Sequence, residues 1–337
     1  MNNIEISFSI VIPTYNPDNK ILETLESINR SLDYFIKKNK INYEILIIND
    51  GGKKLDDILY TKSSNIKIVN LKKNKGVGFA REFGTRISKY KYVYYIDSDL
   101  IIQDDTLYIL YFEFIKNPQS GSVGALQSYK NLNDSYSSKF VCAKSCYGFE
   151  NKPELIEFSA IHSECSIVEK QFIRKIGGWN YFSKSGGEEF ELGHKIIENN
   201  KKNFLTKKTR YATYYENIFK RCKKLIYRTS NYLPILFKRK KLESKGAFAT
   251  NEQFFSVLST LLLFGSIFCN LFFDLNLFYV SILFFLLIIL FEINFLRFSV
   301  KFFNFKNIPF FIICIFLINI SILIGFFYGV LNLFKKK

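Results

Sequence analysis

Four short runs of apolar and β-branched residues, at 8–12, 43–48, 66–71 and 92–96, each stop at a polar or turn-forming cluster, a pattern that predicts buried strands. Between the first two, Ile21, Leu22, Leu25, Ile28 and Leu32 recur at helical spacing, with Asp18 placed to cap the start. Between the third and fourth, Phe79, Phe83 and Ile87 repeat every fourth position after Gly78. Strands alternating with helices imply an α/β fold whose mostly parallel sheet is covered on both faces. In such sheets ligands gather at the carboxyl ends of the strands.

The pattern changes beyond residue 216. Residues 254–273, 276–298 and 308–333 are apolar runs, each long enough to cross a hydrocarbon core of ~30 Å, so three membrane-spanning helices are predicted. Between the α/β zone (1–216) and this region (254–337), residues 217–253 carry Lys220, Arg221, Lys223, Lys224, Arg228, Lys238, Arg239, Lys240 and Lys241. Ile218, Phe219, Leu225, Ile226 and Leu233 are threaded among these cations, which suits a segment lying in the lipid headgroup layer. A solvated basic face is the plainer alternative. Asp274 makes the first link acidic, whereas Arg297, Lys301 and Lys306 crowd the second, so the positive-inside bias puts the α/β zone in the cytosol. Three crossings leave Lys335, Lys336 and Lys337 outside, against that bias; a last segment that re-enters, helped by Gly325 and Gly329, is the other reading. Glu292 lies inside the second span, and pairing with Arg297 is expected of it.

Composition adds less. A formal charge of +17 would suit nucleic acid, but with 37 Phe and 48% hydrophobic residues among 337 it argues for anionic lipid and against a nucleic-acid partner. Lys, Asn, Ile and Phe are abundant throughout, so part of the charge reflects general bias. The six cysteines, at 142, 146, 165, 222, 269 and 314, show no zinc-site spacing and read as reduced thiols of a cytosolic compartment. The opening residues, with Glu5 and a break at Pro13, do not read as a secretion signal.

The candidate chemistry sits at the predicted strand ends. Asp97-Ser98-Asp99 follows the run 92–96, and two acids one residue apart there call for a positive partner, such as a divalent cation carrying a diphosphate. Ser9-Ile10-Val11-Ile12-Pro13-Thr14-Tyr15-Asn16, Ile47-Ile48-Asn49-Asp50-Gly51-Gly52 and Asn74-Lys75-Gly76-Val77-Gly78-Phe79-Ala80-Arg81 precede it. Gly177-Gly178-Trp179 and Glu188-Glu189-Phe190-Glu191-Leu192 follow. Singly, each has a bland counterpart: a strand-ending turn, a tight Asp-Gly turn, glycines for helix packing, acids at a helix start.

In this order the motifs resemble family 2 glycosyltransferases of the GT-A fold. The resemblance implies that Pro13, Thr14, Tyr15, Asp50, Gly76, Arg81, Asp97 and Ser98 bind a nucleotide-sugar donor, with Asp50 reading the base and Arg81 facing the nucleotide. It implies Asp97 and Asp99 as ligands of Mg²⁺ or Mn²⁺, and Gly178 and Trp179 on the acceptor side. Glu189, with Glu188 beside it, aligns with the family's catalytic acid, which would deprotonate an acceptor hydroxyl opposite the leaving diphosphate and so invert the anomeric centre.

Some positions depart from the family pattern. The family more often has Asp where Glu189 stands, and Glu82 replaces an Asn. A His that could touch the metal is missing near Tyr214 and Tyr215, while His162 and His194 read as structural. Trp179 precedes the acidic motif, so the Gln-x-x-Arg-Trp signature of processive synthases is absent. The reading is a membrane-anchored, metal-dependent enzyme at the cytosolic face that moves one sugar from a nucleotide-diphosphate donor, a UDP-sugar first, to a hydroxyl of a lipid-linked glycan. A polyprenyl-phosphate acceptor is the alternative within the class; a catalytically silent membrane scaffold is the alternative outside it.

Overall fold

The computed structural model describes residues 5–55, 64–180, 187–239, 251–273 and 275–334; Lys240, Lys241, Asp274, Lys335, Lys336 and Lys337 fall outside them. The described elements, in chain order, are β1 (Ile6–Thr14), α1 (Lys20–Ile36), β2 (Ile41–Asn49), β3 (Ile66–Asn70), α2 (Val77–Ile87), β4 (Tyr92–Ile96), β5 (Leu100–Ile102), α3 (Thr106–Lys116) and β6 (Ser120–Asn131). There follow α4 (Tyr136–Tyr147), β7 (Leu155–Phe158), β8 (Cys165–Glu169), α5 (Lys170–Lys175), α6 (Glu188–Glu198) and β9 (Lys202–Thr213). The chain continues with α7 (Ile218–Arg239), α8 (Asn251–Phe273), α9 (Phe278–Phe302) and α10 (Ile308–Phe334).

The chain divides into two compact units. The first holds the described residues up to Ser128 together with Lys152–Thr213; the second holds Tyr129–Asn151 and the described residues from Tyr214 on. In the first unit the strands form one sheet in the order β3-β2-β1-β4-β8-β6-β9-β5, with β7 beside β9. β3, β2, β1 and β4 are parallel, as the buried apolar runs of β1, β2 and β4 predict. From β8 onward the sheet is mixed, with β8 antiparallel to both β4 and β6. Both faces of the parallel half are covered. Phe8, Ile10 and Ile12 of β1 join Ile28, Leu32 and Phe35 of α1 in one core, while Val11, Ala80, Tyr95 and Trp179 belong to the other. α1 starts one residue later than Asp18 alone would suggest: Asn19 is its N-cap, and Asp18 Oδ1 accepts the Lys20 N–H at 3.1 Å.

The second unit is helical, and α8, α9 and the stretch Phe305–Phe334 are each long and apolar enough to cross a membrane. Its core takes Phe140 and Cys142 of α4 together with Phe295, Phe311 and Ile315. A buried polar cluster ties α8 to α10: Asn319 Nδ2 donates to Ser256 Oγ and Thr260 Oγ1, both at 2.9 Å, and Gln253 Nε2 donates to Asn319 Oδ1 at 3.0 Å. One expectation is corrected. Glu292, 2% exposed, pairs with Lys144 Nζ at 2.7 Å, not with Arg297, because α4 brings a cation to the buried stretch of α9. Gly325 and Gly329 do not break the last helix. They admit α7, since a Cβ on Gly325 would stand 2.8 Å from Ile226 O and one on Gly329 3.0 Å from Leu233 Cβ.

Candidate active site

The parallel pairing of β1, β2 and β4 puts their carboxyl ends on one edge of the sheet, and a cleft of about 540 Å³ opens there. Pro13, Thr14 and Tyr15 reach it from β1, Asp50 from β2, Gly76 and Ala80 from the entry to α2, and Asp97, Ser98 and Asp99 from β4. Eight of the nine residues expected to face the donor or its metal ion therefore line one cavity. Tyr15 is 54% exposed, so its ring is open to a ligand.

The ninth, Arg81, is placed differently. It is 2% exposed, lies behind the cleft, and donates through Nη2 to Asp97 Oδ1 at 2.7 Å. Its guanidinium carbon sits 5.3 Å from the centre of the Trp179 ring, and Nε and Nη1 are buried without a hydrogen-bond partner among the described residues. Burial would lower the guanidinium pKa, but Asp97, Glu189 and Glu188 outweigh it and hold the charge on. One buried cation therefore stands among three carboxylates.

Asp97 shows the opposite balance. Burial, with Glu164 and Asp99 nearby, pushes its carboxyl up to about 7 despite Arg81. Asp50 is raised too, by burial, although its carboxylate accepts the N–H groups of Lys75 (3.0 Å) and Gly76 (2.7 Å). It thereby holds the loop before α2 against the end of β2. Among the described residues no group of three or more His, Cys, Asp or Glu is arranged to hold a metal ion. The donor set at the cleft is thus a pair of carboxylates in a site with excess negative charge. That suits a cation which takes its remaining ligands from phosphate oxygens and water.

Glu189 is the second residue of α6. Its Oε1 accepts the Ser163 hydroxyl at 2.7 Å, and its backbone carbonyl accepts the Ile161 N–H at 3.1 Å. Glu188 is buried. Gly178 and Trp179, expected on the acceptor side, pack inward: Trp179 is 2% exposed and meets Tyr95 edge-on at 5.3 Å. Glu82 fixes that turn, its Oε2 accepting the Trp179 N–H at 2.9 Å while Oε1 accepts Arg86 Nε at 2.8 Å.

The sequence reading offers nothing on Ser163 and Glu164, and marks Glu82 only as a departure from the family's Asn, with no role. Glu164 Oε2 accepts Gln127 Nε2 at 2.9 Å and the Tyr211 hydroxyl, and its backbone carbonyl accepts the Asp97 N–H at 2.9 Å. No local pattern marks these residues. Their partners lie 26 to 97 positions away, apart from the shorter pairing of Glu82 with Arg86.

The sequence profile described as glycosyl transferase family 2 matches residues 9–177. Poly-β-1,6-N-acetyl-D-glucosamine synthase of Staphylococcus epidermidis is 27% identical over 183 residues, covering 51% of this chain and 42% of that protein. A dolichyl-phosphate β-glucosyltransferase of Dictyostelium discoideum is 36% identical over 101 residues, covering 28% of this chain and 31% of that one. The alignments thus span less than half the length of these relatives. Among solved structures, GalNAc-T7 with UDP, GalNAc and Mn²⁺ aligns at a TM-score of 0.47 and 17% identity, over 62% of this chain and 43% of that one.

Proposed function

Because the chain belongs to glycosyl transferase family 2, we propose that it moves a single sugar from a nucleotide-diphosphate donor, a UDP-sugar first, to a hydroxyl of a lipid-linked glycan at the cytosolic membrane face, with inversion. The observation that carries the reading is the cleft itself. Three parallel strand ends bring Tyr15, Asp50, Asp97, Ser98 and Asp99 to one cavity, and the candidate base in the first turn of α6, outside that lining, shares Arg81 with Asp97.

Each residue then has a task. Tyr15 offers an open ring to the base of the nucleotide, with Pro13 and Thr14 shaping the wall. Asp50 accepts from a base N–H, since a carboxylate has lone pairs beyond those taken by Lys75 and Gly76. Asp97 and Asp99 would hold Mg²⁺ or Mn²⁺, which when bound supplies Lewis-acid stabilisation of the diphosphate's growing charge. Arg81, supported by Trp179 and the Gly178 turn, balances Asp97 from beneath. Glu189 takes the proton of the acceptor hydroxyl, and attack from the face opposite the diphosphate inverts the anomeric centre. The helices α8, α9 and α10 anchor the chain in the bilayer, with the cationic face of α7 at the headgroups.

The test pairs a panel of nucleotide sugars with membrane lipid extracts and reads product mass. One donor should yield a glycosylated lipid in the wild type, while Glu189→Gln still binds that donor and turns over at least a hundredfold more slowly, as loss of a general base predicts. Full activity of Glu189→Gln would remove the base assignment. It would instead favour the second reading, transfer to a polyprenyl phosphate, which needs no strong base and which the similarity to a dolichyl-phosphate β-glucosyltransferase supports.

A further inference from the structure

The stretch between β7 and β8 is gripped from both sides within the first unit. On one side it meets α6: a Cβ on Gly193 would stand 2.5 Å from both Ala160 Cα and Ser159 O, so only glycine allows that approach. Two residues further along, the Ile161 N–H donates to the backbone carbonyl of Glu189, and the Ser163 hydroxyl donates to Oε1 of the same residue at 2.7 Å. On the other side, the Glu164 carbonyl accepts the Asp97 N–H at 2.9 Å, and Cys165 then pairs with Ile96. Six consecutive residues therefore connect the start of α6 to the turn that carries Asp97 and Asp99.

We infer that Ser163 is the positioning residue of the base: its hydroxyl fixes the plane of the Glu189 carboxylate and so the direction in which its free oxygen points. The inference rests on the reading of Glu189 as general base. A carboxylate on a three-bond side chain can rotate, and a rotated base loses reach to the acceptor proton. Pinning Oε1 to a buried hydroxyl fixes the direction of Oε2. The Ser163 hydroxyl is buried and does not line the cleft, so its effect passes through Glu189.

The experiment uses the full-length protein in detergent, with UDP-N-acetylglucosamine and UDP-glucose as donors, lipid extract as acceptor, and UDP release as the readout. Ser163→Ala should lower kcat about tenfold with the donor KM unchanged, the scale of one hydrogen bond to a charged group. UDP affinity should stay at the wild-type value, which also reports that the variant is folded. Ser163→Thr keeps the hydroxyl and should keep kcat near the wild-type value. In a Glu189→Gln background, Ser163→Ala should cost nothing further. A Ser163→Ala enzyme with unchanged kcat, alongside an inactive Glu189→Gln, would overturn the inference alone. A fully active Glu189→Gln would overturn the base assignment and this inference with it.

Discussion

Arg81 Nη2 and Asp97 Oδ1 lie 2.7 Å apart, with the guanidinium 2% exposed and the carboxylate side chain 25% exposed. The pair joins the floor of the cleft to the second core, where Trp179 and Tyr95 pack. Removing one partner of such a buried pair leaves the other uncompensated. Arg81→Ala should therefore lower unfolding stability by about 3 kcal/mol, whereas Arg81→Lys keeps the charge and should lose less. Denaturant titration of the detergent-solubilised protein measures both. Equal stability of Arg81→Ala and wild type would mean that the pair is not carrying the charge balance.

Asp97 gives a pH dependence with a defined sign. Its folded-state pKa is pushed from 3.8 up to about 7 by burial, Glu164 and Asp99. For an acid with a raised folded pKa, the unfolded state releases its proton first, so stability falls as pH rises from 3.8 to about 7 and is level above. Without metal, the protein should be less stable at pH 8 than at pH 6. Because a cation competes with that proton, the thermal shift produced by Mn²⁺ should grow with pH and level off above about 7. Asp97→Asn should flatten both trends. Identical Mn²⁺ shifts at pH 6 and pH 8 would contradict this.

Glu82 is legible only in the structure. At the sequence level it stands where the family has Asn; in the fold it receives the Trp179 N–H, and a Cβ on Gly178 would stand 2.3 Å from its Oε2. Gly178 also has φ of +61°, a conformation that disfavours side chains. Gly178→Ala should cost about 2 kcal/mol through the clash and the backbone, measured as a shift in the denaturant midpoint. A midpoint within error of wild type would show that Glu82 can move aside at no cost.

The contrast between what could and could not be read follows from burial and range. The parallel half of the sheet is covered on both faces, so β1, β2 and β4 announce themselves as apolar runs, and the cleft residues follow at their ends. β9, with Lys202, Lys207, Lys208 and Arg210, carries too many charges to read as a strand, and β5 is three residues long. The glutamate, serine and arginine behind the cleft act through partners far away in sequence. Periodicity has no access to such pairings. The three apolar helices were plain from length and composition, but Glu292 was assigned the wrong cation because Lys144 sits 148 residues earlier.

That ion pair makes its own prediction. Lys144→Ala leaves Glu292 buried without a counter-charge and should destabilise the helical unit by about 3 kcal/mol. The double variant Lys144→Met/Glu292→Leu should recover most of that loss, because it replaces the pair with apolar packing. Thermal unfolding in one fixed detergent compares the three proteins. No recovery in the double variant would show that the pair does more than balance charge.

The central claim is that the carboxylates after β4 bind the donor's diphosphate through a divalent cation, and calorimetry of UDP binding to the full-length protein tests it without any knowledge of the sugar. With Mn²⁺ present the wild type should bind UDP at least tenfold more tightly than in chelator, the scale of one charge-assisted contact, and Asp99→Asn should erase the difference. Equal UDP affinity with and without the cation in the wild type would contradict the account.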